Sequence, residues 1–474
     1  MAHSETSYLA RAARQPVRWQ PWGRDAFALA ARLDRPVLLY IGSDSCRWCA
    51  ETDRAIYTDP EIGALINALF VPIRVDRDER PDVAQRYQTA VERMAGLRGW
   101  PLTVFLTADG APFFGGTYFP ADDPITGRGL KQLLPEVANR YREQRTFIME
   151  QAAVVRQMVL TEDSPSVLRP SLVEQGIAAV ARELDEAVRN RAVAGSVTHA
   201  EAVSLLLTDT TLLVSARRAL DLMLDTTVGT GGEDPPRLVR AALAVSLAKA
   251  WTVTGEQRYR DAGRVLVRAL SAEPPPDGSV FADQEAYVIE HLMVAAATIG
   301  EPTVESRARA GLDVLLQRTY ARGWGVRHAA AGAPAAGVPQ GLLQDQVQVA
   351  SACLVAYQLS NAPRYLDVAL DLATLVERSY ADPLGGYYDV AAADPLPASQ
   401  AALGDRTKHV FDDVLPGANA ATALILAELA QVTGDPTYRR RAQATLEAFA
   451  GSMDGTGLRA VTFLTAARQT LGKP

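Results

Sequence analysis

"PVLLYIGSDSCRWCAET", residues 36–52, decides how the first third of this chain folds. The apolar run "RPVLLYIG" (35–42) has the composition and length of a buried strand, and it ends just before Cys46. Cys46 therefore sits near the start of the helix that follows. Backbone N–H groups and the helix macrodipole there favour a thiolate. Cys49, one turn on, completes a Cys-x-x-Cys pair.

Working outward, "LFVPIRV" (69–75) and "PLTVFL" (101–106) are further short apolar runs bounded by polar or turn residues. Helical patterns separate them: "WGRDAFALAARLD" (22–34) and "RPDVAQRYQTAVERM" (80–94), the second entered through Pro81. Asp109-Gly110 is a hairpin signal joining "PLTVFLTA" to "APFFGGTYF", and a long helical stretch spans about 129 to 160. This order of elements is that of an α/β thioredoxin-like domain, expected over residues 1–160. Pro101, directly after Gly99-Trp100, occupies the place where such folds carry a cis-proline facing the dithiol. An ordinary trans proline opening a strand is the alternative.

From 165 to 474 the pattern is helix after helix, with a repeat. "WTVTGEQRYRDAGRVLVRAL" (251–270), "YQLSNAPRYLDVALDLATLV" (357–376) and "AQVTGDPTYRRRAQATLEAF" (430–449) each end a helix, turn, place a Tyr (Tyr259, Tyr365, Tyr438) and start another. "ATIGEPTVESRARAGLDVLL" (297–316) is a fourth copy with Val304 in the Tyr position. Such hairpins must pack on one another to bury their apolar faces. About 11–12 helices with uneven, Gly-rich inserts such as 321–339 predict an all-α toroid of the α/α type, with an open solenoid as the runner-up.

Bulk properties narrow the function. A formal net charge of -7 and a pI of about 5.5 argue against electrostatically driven nucleic-acid binding. Arg439-Arg440-Arg441 reads as a solvated helix face. No run approaches a membrane span, and "MAHSETSYLARAARQPVRW" lacks the apolar core of a secretory signal, so a cytoplasmic protein without a membrane partner is expected. In a reducing compartment, Cys-x-x-Cys points to catalysis or metal binding. Only Cys353 and 5 histidines remain as further soft ligands, none in a paired spacing, so no metal and no cofactor is expected.

In the cycling reading Cys46 is the nucleophile and Cys49 resolves the mixed disulfide. Arg47 adds a nearby cation. Trp48 either shields the pair or forms a contact surface, with a packing aromatic as the alternative. Tyr40 stands six residues before Cys46, where thioredoxins bury an acid, so the usual proton relay is absent. "VDRDERPD" (75–82), with Asp76, should emerge at the dithiol's edge of the sheet, either as solvated charges or as a contact surface. An inert cysteine pair is the alternative. Cys353 is expected to be buried and unreactive.

"PVRWQPWGRDAFALA", "PVLLYIGSDSCRWCA", "FVPIRVDRDERPD" and "GWPLTVFLTADGAPFFGGTYFP" together resemble the spermatogenesis-associated thioredoxin-like protein family across residues 14–145. The resemblance implies a second part that is a six-hairpin glycosidase-like α/α barrel, similar to acylglucosamine epimerases, and it supplies architecture more than a reaction. The family dithiol is usually Cys-His-Trp-Cys-His; here Arg47 and Ala50 replace the histidines, and an early barrel segment is reduced to "VGTGGEDPPRL" (228–238). Enzymes with such barrels place Asp or Glu at the starts of inner helices. Asp283 and Asp345 fit that, as an acid/base pair or as N-caps. Arg406, Lys408, Asp412 and Asn419 match a further family segment that would line the same mouth or brace it. His291, His328 and His409 are candidate bases or structural groups.

Three functions follow. The first is a thiol–disulfide oxidoreductase or redox sensor, acting on a protein thiol or disulfide or on a small molecule. The second is a carbohydrate-active or sugar-binding protein with an accessory first domain. The third is a non-catalytic interaction protein.

Overall fold

The structure, a computed structural model, describes residues 6–122, 129–160, 163–193, 196–228, 235–273, 280–329, 341–392 and 402–472. The first domain contains α1 (Ser7–Ala12), β1 (Gln20–Pro21), α2 (Arg24–Leu33), β2 (Val37–Gly42), α3 (Arg47–Thr52), α4 (Pro60–Leu69), β3 (Val71–Asp76), α5 (Pro81–Ala95), β4 (Leu102–Leu106), β5 (Pro112–Gly116), α6 (Leu130–Glu143) and α7 (Arg145–Leu160). The strands form one sheet in the order β1-β3-β2-β4-β5, with β1, β3 and β2 parallel and β4 and β5 antiparallel. β2 and β3 are buried at every position, as the apolar runs predict for strands covered on both faces.

Alternation along β2 sorts the two faces. Val37, Leu39 and Ile41 pack with Phe27, Val83 and Tyr87 on one side; Leu38 and Tyr40 pack with Tyr8, Trp19 and Tyr57 on the other. The helical stretch expected over 129–160 is two helices broken at Gln144. α6 packs beside α4 on the Tyr40 face, whereas α7 crosses to pack on α5 and β5, and one straight helix cannot serve both faces.

The second domain is a closed ring of six outer-then-inner helical hairpins among the described residues: α8 (Pro170–Arg189) and α9 (Val197–Leu206), α10 (Leu213–Val228) and α11 (Arg237–Thr254), α12 (Gln257–Ala272) and α13 (Ala282–Ile299), α14 (Pro302–Thr319) and, after the short β6 (Tyr320–Ala321) and β7 (Gly325–Val326), α15 (Leu343–Ser360), then α16 (Pro363–Ser379) and α17 (Ala418–Thr433), and α18 (Pro436–Glu447) and α19 (Val461–Thr470). Each inner helix packs on the next, and α19 returns to α9, which makes the domain a toroid and not an open solenoid. Inner helices such as α11 and α17 are Ala-rich and buried on nearly all sides, while outer α12 and α16 bury one stripe. Parts of the inserts at 228–238 and 321–339 lie outside the described residues.

The sequence repeat has a physical meaning. Inner helices end at Gly255, Gly300, Asn361 and Gly434, all with φ between 54° and 81°, a left-handed cap that glycine or asparagine adopts cheaply. The repeated tyrosine then ties neighbouring outer helices together. The Tyr259 hydroxyl donates to Asp221 on α10 at 2.9 Å, and Tyr365 to Asp313 on α14 at 2.9 Å.

Candidate functional site: the dithiol edge and the toroid mouth

Cys46 caps α3 and is disulfide-bonded to Cys49. The Cys46 sulfur also accepts the Cys49 backbone N–H at 3.1 Å. Cys46 is half-buried and Cys49 fully buried, so Cys46 is the outer residue of the pair and Cys49 the inner one. Arg47 is exposed, and Trp48 is 66% exposed, so it is not a core packing residue. The Trp100–Pro101 peptide is cis. Pro101 lies one residue beyond the Ile41–Leu102 pair of β2 and β4, level with Gly42 at the dithiol edge.

A buried acid is present after all, on the neighbouring strand. Asp76 ends β3 and pairs in register with Gly42, so its side chain projects to the same face as a Cβ on Gly42 would. That face is crowded: the Tyr8 hydroxyl lies 2.5 Å and the Cys49 sulfur 2.9 Å from where such a Cβ would stand, so only glycine fits. The Tyr8 hydroxyl is buried and has no hydrogen-bond partner among the described residues. Burial and the nearby Asp78 charge push the Asp76 carboxyl up to about 7. Tyr40, at the usual acid position, donates to the Cys49 carbonyl at 3.4 Å.

Beneath this cluster lies a group the sequence reading passed over. Arg74 is fully buried and clamped by both Asp53 oxygens at 2.7 and 2.6 Å, with the Tyr8 ring 3.9 Å from its guanidinium. Its signal was an arginine at the alternate, inward position of an otherwise apolar strand. Arg77 was also missed. Its backbone N–H donates to the Gly42 carbonyl at 2.7 Å and its guanidinium to Ser45 Oγ at 2.9 Å. It lies 5.3 Å from the Trp100 ring, linking the dithiol loop to the cis-proline segment.

The charged stretch 75–82 is not a solvated loop. It meets the starts of the inner helices of the toroid. His328 Nε2 donates to the Asp78 carbonyl at 2.9 Å, while Nδ1 donates to Asp345 at 2.8 Å with Asp283 3.9 Å away. Gln85 donates to Asp413 at 3.2 Å and Arg86 to the Ala402 carbonyl at 2.7 Å. Arg156 is bidentate to Asp405 at 2.6 Å.

Asp283 and Asp345 lie in the first turns of α13 and α15, whose N-caps are Phe281 and Leu342, so neither acid is the cap itself. Asp345 accepts the Leu342 N–H at 2.9 Å, and Asp283 the Gln284 N–H at 2.8 Å. Burial alone would lower His328, but the charges of Asp345 and Asp283 outweigh it and raise its pKa to about 10. Burial raises Asp283 to about 7. The trio gathers three ligand-type atoms within 4.8 Å, yet both imidazole nitrogens are already donating and the ring is protonated at neutral pH. These residues fit an ion cluster better than a metal centre, which needs a neutral, free imidazole nitrogen.

The other second-domain candidates are engaged in bracing. Arg406 donates to the Val390 carbonyl at 2.9 Å and stacks on Tyr388 at 3.9 Å. Lys408 pairs with Asp382 at 2.7 Å and with Asp163. Asp412 accepts the N–H groups of Gly417 and Thr462, each at 2.8 Å, and burial raises it to about 7. Asn419 bonds both the N–H and the carbonyl of Tyr387, and the His409 carbonyl, at 2.7, 2.9 and 3.0 Å. Further down the ring, His291 meets Glu201 at 2.9 Å, a partner the sequence reading did not name, and His409 meets Asp389 at 2.8 Å. Cys353 is buried, and burial pushes its thiol well up.

Cavities among the described residues lie at the junction. One of about 80 Å³ lies between residues 77–85 and the mouth, reaching Asp283 and His409. Another, about 540 Å³, is lined by Asp44, Ser45 and Asp76–Asp78 on one side and by Arg237, Phe281 and Glu285 on the other. No helix among the described residues is long and apolar enough to cross a membrane.

Residues 1–160 match the family described as "Protein of unknown function, DUF255". Human spermatogenesis-associated protein 20 is 27% identical over 401 residues, covering 84% of this chain and 41% of that protein. The rat protein of the same name is 35% identical over 167 residues, 35% of this chain and 21% of its own. Among solved structures, a family 105 glycoside hydrolase from C. acetobutylicum is similar with a TM-score of 0.49 at 10% identity, over 64% of this chain and 98% of that one. The chain therefore joins a thioredoxin-like DUF255 region to a helical toroid and is similar to spermatogenesis-associated protein 20, spanning about two fifths of the human protein.

Proposed function

We propose that this chain is a thiol–disulfide oxidoreductase whose toroid covers one side of the redox edge. The observation that carries the reading is the pair itself: an outer Cys46 at a helix start above a buried Cys49, beside Pro101. In the reduced protein the Cys49 N–H that points at the Cys46 sulfur stabilises its thiolate. That thiolate attacks one sulfur of a substrate disulfide; the S–S bond breaks and the departing thiolate takes a proton from water. Cys49 then gives its proton to Asp76, with the Tyr8 hydroxyl alongside, and attacks the Cys46 sulfur. The bond from Cys46 to the substrate sulfur breaks, that sulfur leaves as a thiolate and takes a proton from water, and the two electrons have passed from the dithiol to the substrate. Asp76, raised to about 7, is suited to accepting that proton at neutral pH.

The carbohydrate reading loses support on the same geometry. Residues 77–85 cover the mouth, only about 80 Å³ remains in front of Asp283, and Asp283 and Asp345 are committed to His328.

Redox titration of the full chain should show one reversible two-electron transition, with Cys46 alkylating as a thiolate well below pH 8.5. Cys46→Ser should slow exchange by at least about a thousandfold, since the nucleophile is gone. Unchanged exchange in that variant, or a disulfide that is reduced only on unfolding, overturns the reading.

A further inference from the structure

We propose that the 540 Å³ cleft between the domains is the substrate pocket of the dithiol, and that it takes a small disulfide carrying positively charged amino groups. This deepens the redox reading and rests on it.

Size sets the first limit. A cavity of this volume suits one drug-sized molecule and is far too small for a folded protein. Position sets the second. One wall contains Asp44 and Ser45, which run directly into Cys46, together with Asp76, the proposed proton acceptor. Arg77 reaches from this wall to Ser45 Oγ at 2.9 Å, so the pocket and the dithiol loop share a rigid boundary.

Charge sets the third. The lining carries the carboxylates of Asp44, Asp76, Asp78, Glu285 and Asp413 against the guanidiniums of Arg77 and Arg237. Arg77 is paired with Asp78 at 3.1 Å and Arg237 with Glu285 at 2.9 Å, so neither is free to hold an anion. Arg11 pairs with Asp44 from outside the wall. Asp413 is held only by the neutral amide of Gln85, at 3.2 Å, and Asp76 accepts the Asp78 N–H at 2.9 Å but forms no ion pair among the described residues, since Arg77 is turned to Asp78. The remaining excess is negative, and a cleft with low-dielectric walls focuses that field on an entering cation. Phe281 supplies an apolar wall for the carbon chain of the ligand.

The chemistry balances as before: the reduced dithiol becomes the Cys46–Cys49 disulfide and one substrate disulfide becomes two thiols. The test uses the full-length reduced protein and three probes of similar size: cystamine (dicationic), 2-hydroxyethyl disulfide (neutral) and 3,3′-dithiodipropionate (dianionic). Each rate is divided by the rate of the same probe with dithiothreitol, which removes differences in intrinsic leaving-group reactivity. At low salt the normalised rates should fall in that order, with cystamine about tenfold ahead of the neutral probe and the advantage shrinking to about threefold or less at 0.5 M salt.

Glu285→Gln should shrink the cystamine-to-neutral ratio about threefold and Arg237→Gln should enlarge it by a similar factor. A substitution that merely loosens the fold cannot move the ratio in opposite directions. Equal normalised rates, a faster dianion, or two variants shifting the ratio the same way overturn the pocket while leaving the redox reading intact. No reaction with any probe removes the redox reading and the pocket with it.

Discussion

The dithiol edge and the toroid mouth are both polar and largely buried, and they differ in how completely their hydrogen bonds are used. At the mouth, Asn419, Lys408, Asp412 and Asp345 each meet several partners at short range. At the dithiol edge the Tyr8 hydroxyl has no partner among the described residues, while the Asp76 carboxyl accepts the Asp78 N–H at 2.9 Å and is raised by burial to about 7, as Asp283 and Asp412 are at the mouth. Saturated buried polar groups hold a fold in one arrangement; an unsatisfied one needs another reason to persist. The comparison teaches that the acidic and basic groups of the mouth are tied into buried hydrogen bonds and ion pairs, whereas the unpartnered hydroxyl stands beside the cysteines.

The largest test of that contrast is His328→Gln. It leaves Asp345 buried without its counter-charge and should cost about 3–5 kcal/mol in denaturant unfolding. The wild-type ring stays charged in the folded protein up to about pH 10, whereas an exposed histidine loses its proton near 6.5. Its stabilisation is therefore complete below pH 6.5 and disappears as pH climbs through 10. The parent should lose this increment between pH 7 and 10, and the variant should not.

Asn419→Ala comes next. It strands the N–H and carbonyl of Tyr387, while the His409 carbonyl keeps the backbone N–H of residue 419, for about 2–4 kcal/mol, measured by thermal or urea unfolding. Exchange by the folded variant should match the parent if the mouth is only a brace. A selective loss of exchange with unchanged stability would break the comparison.

Asp76→Asn has the smallest expected effect and the sharpest sign. Release of the second thiol, followed by stopped flow, should slow about tenfold at pH 7 as the proton acceptor is lost. Stability should move the other way. A carboxyl raised to about 7 from an unfolded value near 4 costs the fold progressively as pH rises through that window. The amide escapes that cost, so the variant should be the more stable protein at pH 8. Lower stability together with slower exchange would mark Asp76 as a structural residue.

Much of this was legible beforehand. The strand-to-helix placement of Cys46, the turn at Asp109-Gly110 and the repeated hairpins rest on local periodicity and turn chemistry, and all are present. The usual acid position is indeed Tyr40, and the buried acid nearest the pair in register, Asp76, comes from the next strand, where spacing from Cys46 does not reveal it. Residues 75–82 were read as solvated by default, since nothing in a charged run says that another domain will cover it.

The sequence by itself determined which segments are strands and helices, where the dithiol stands, and that the helical hairpins of the second half must pack on one another, because apolar spacing and capping residues act over a few positions; closure of the ring comes from α19 meeting α9. Only the tertiary structure decided which groups meet. Asp53 reaches Arg74 across 21 residues, and the Asp78 carbonyl reaches His328 across 250. Register and packing set those meetings, and no short-range pattern encodes them.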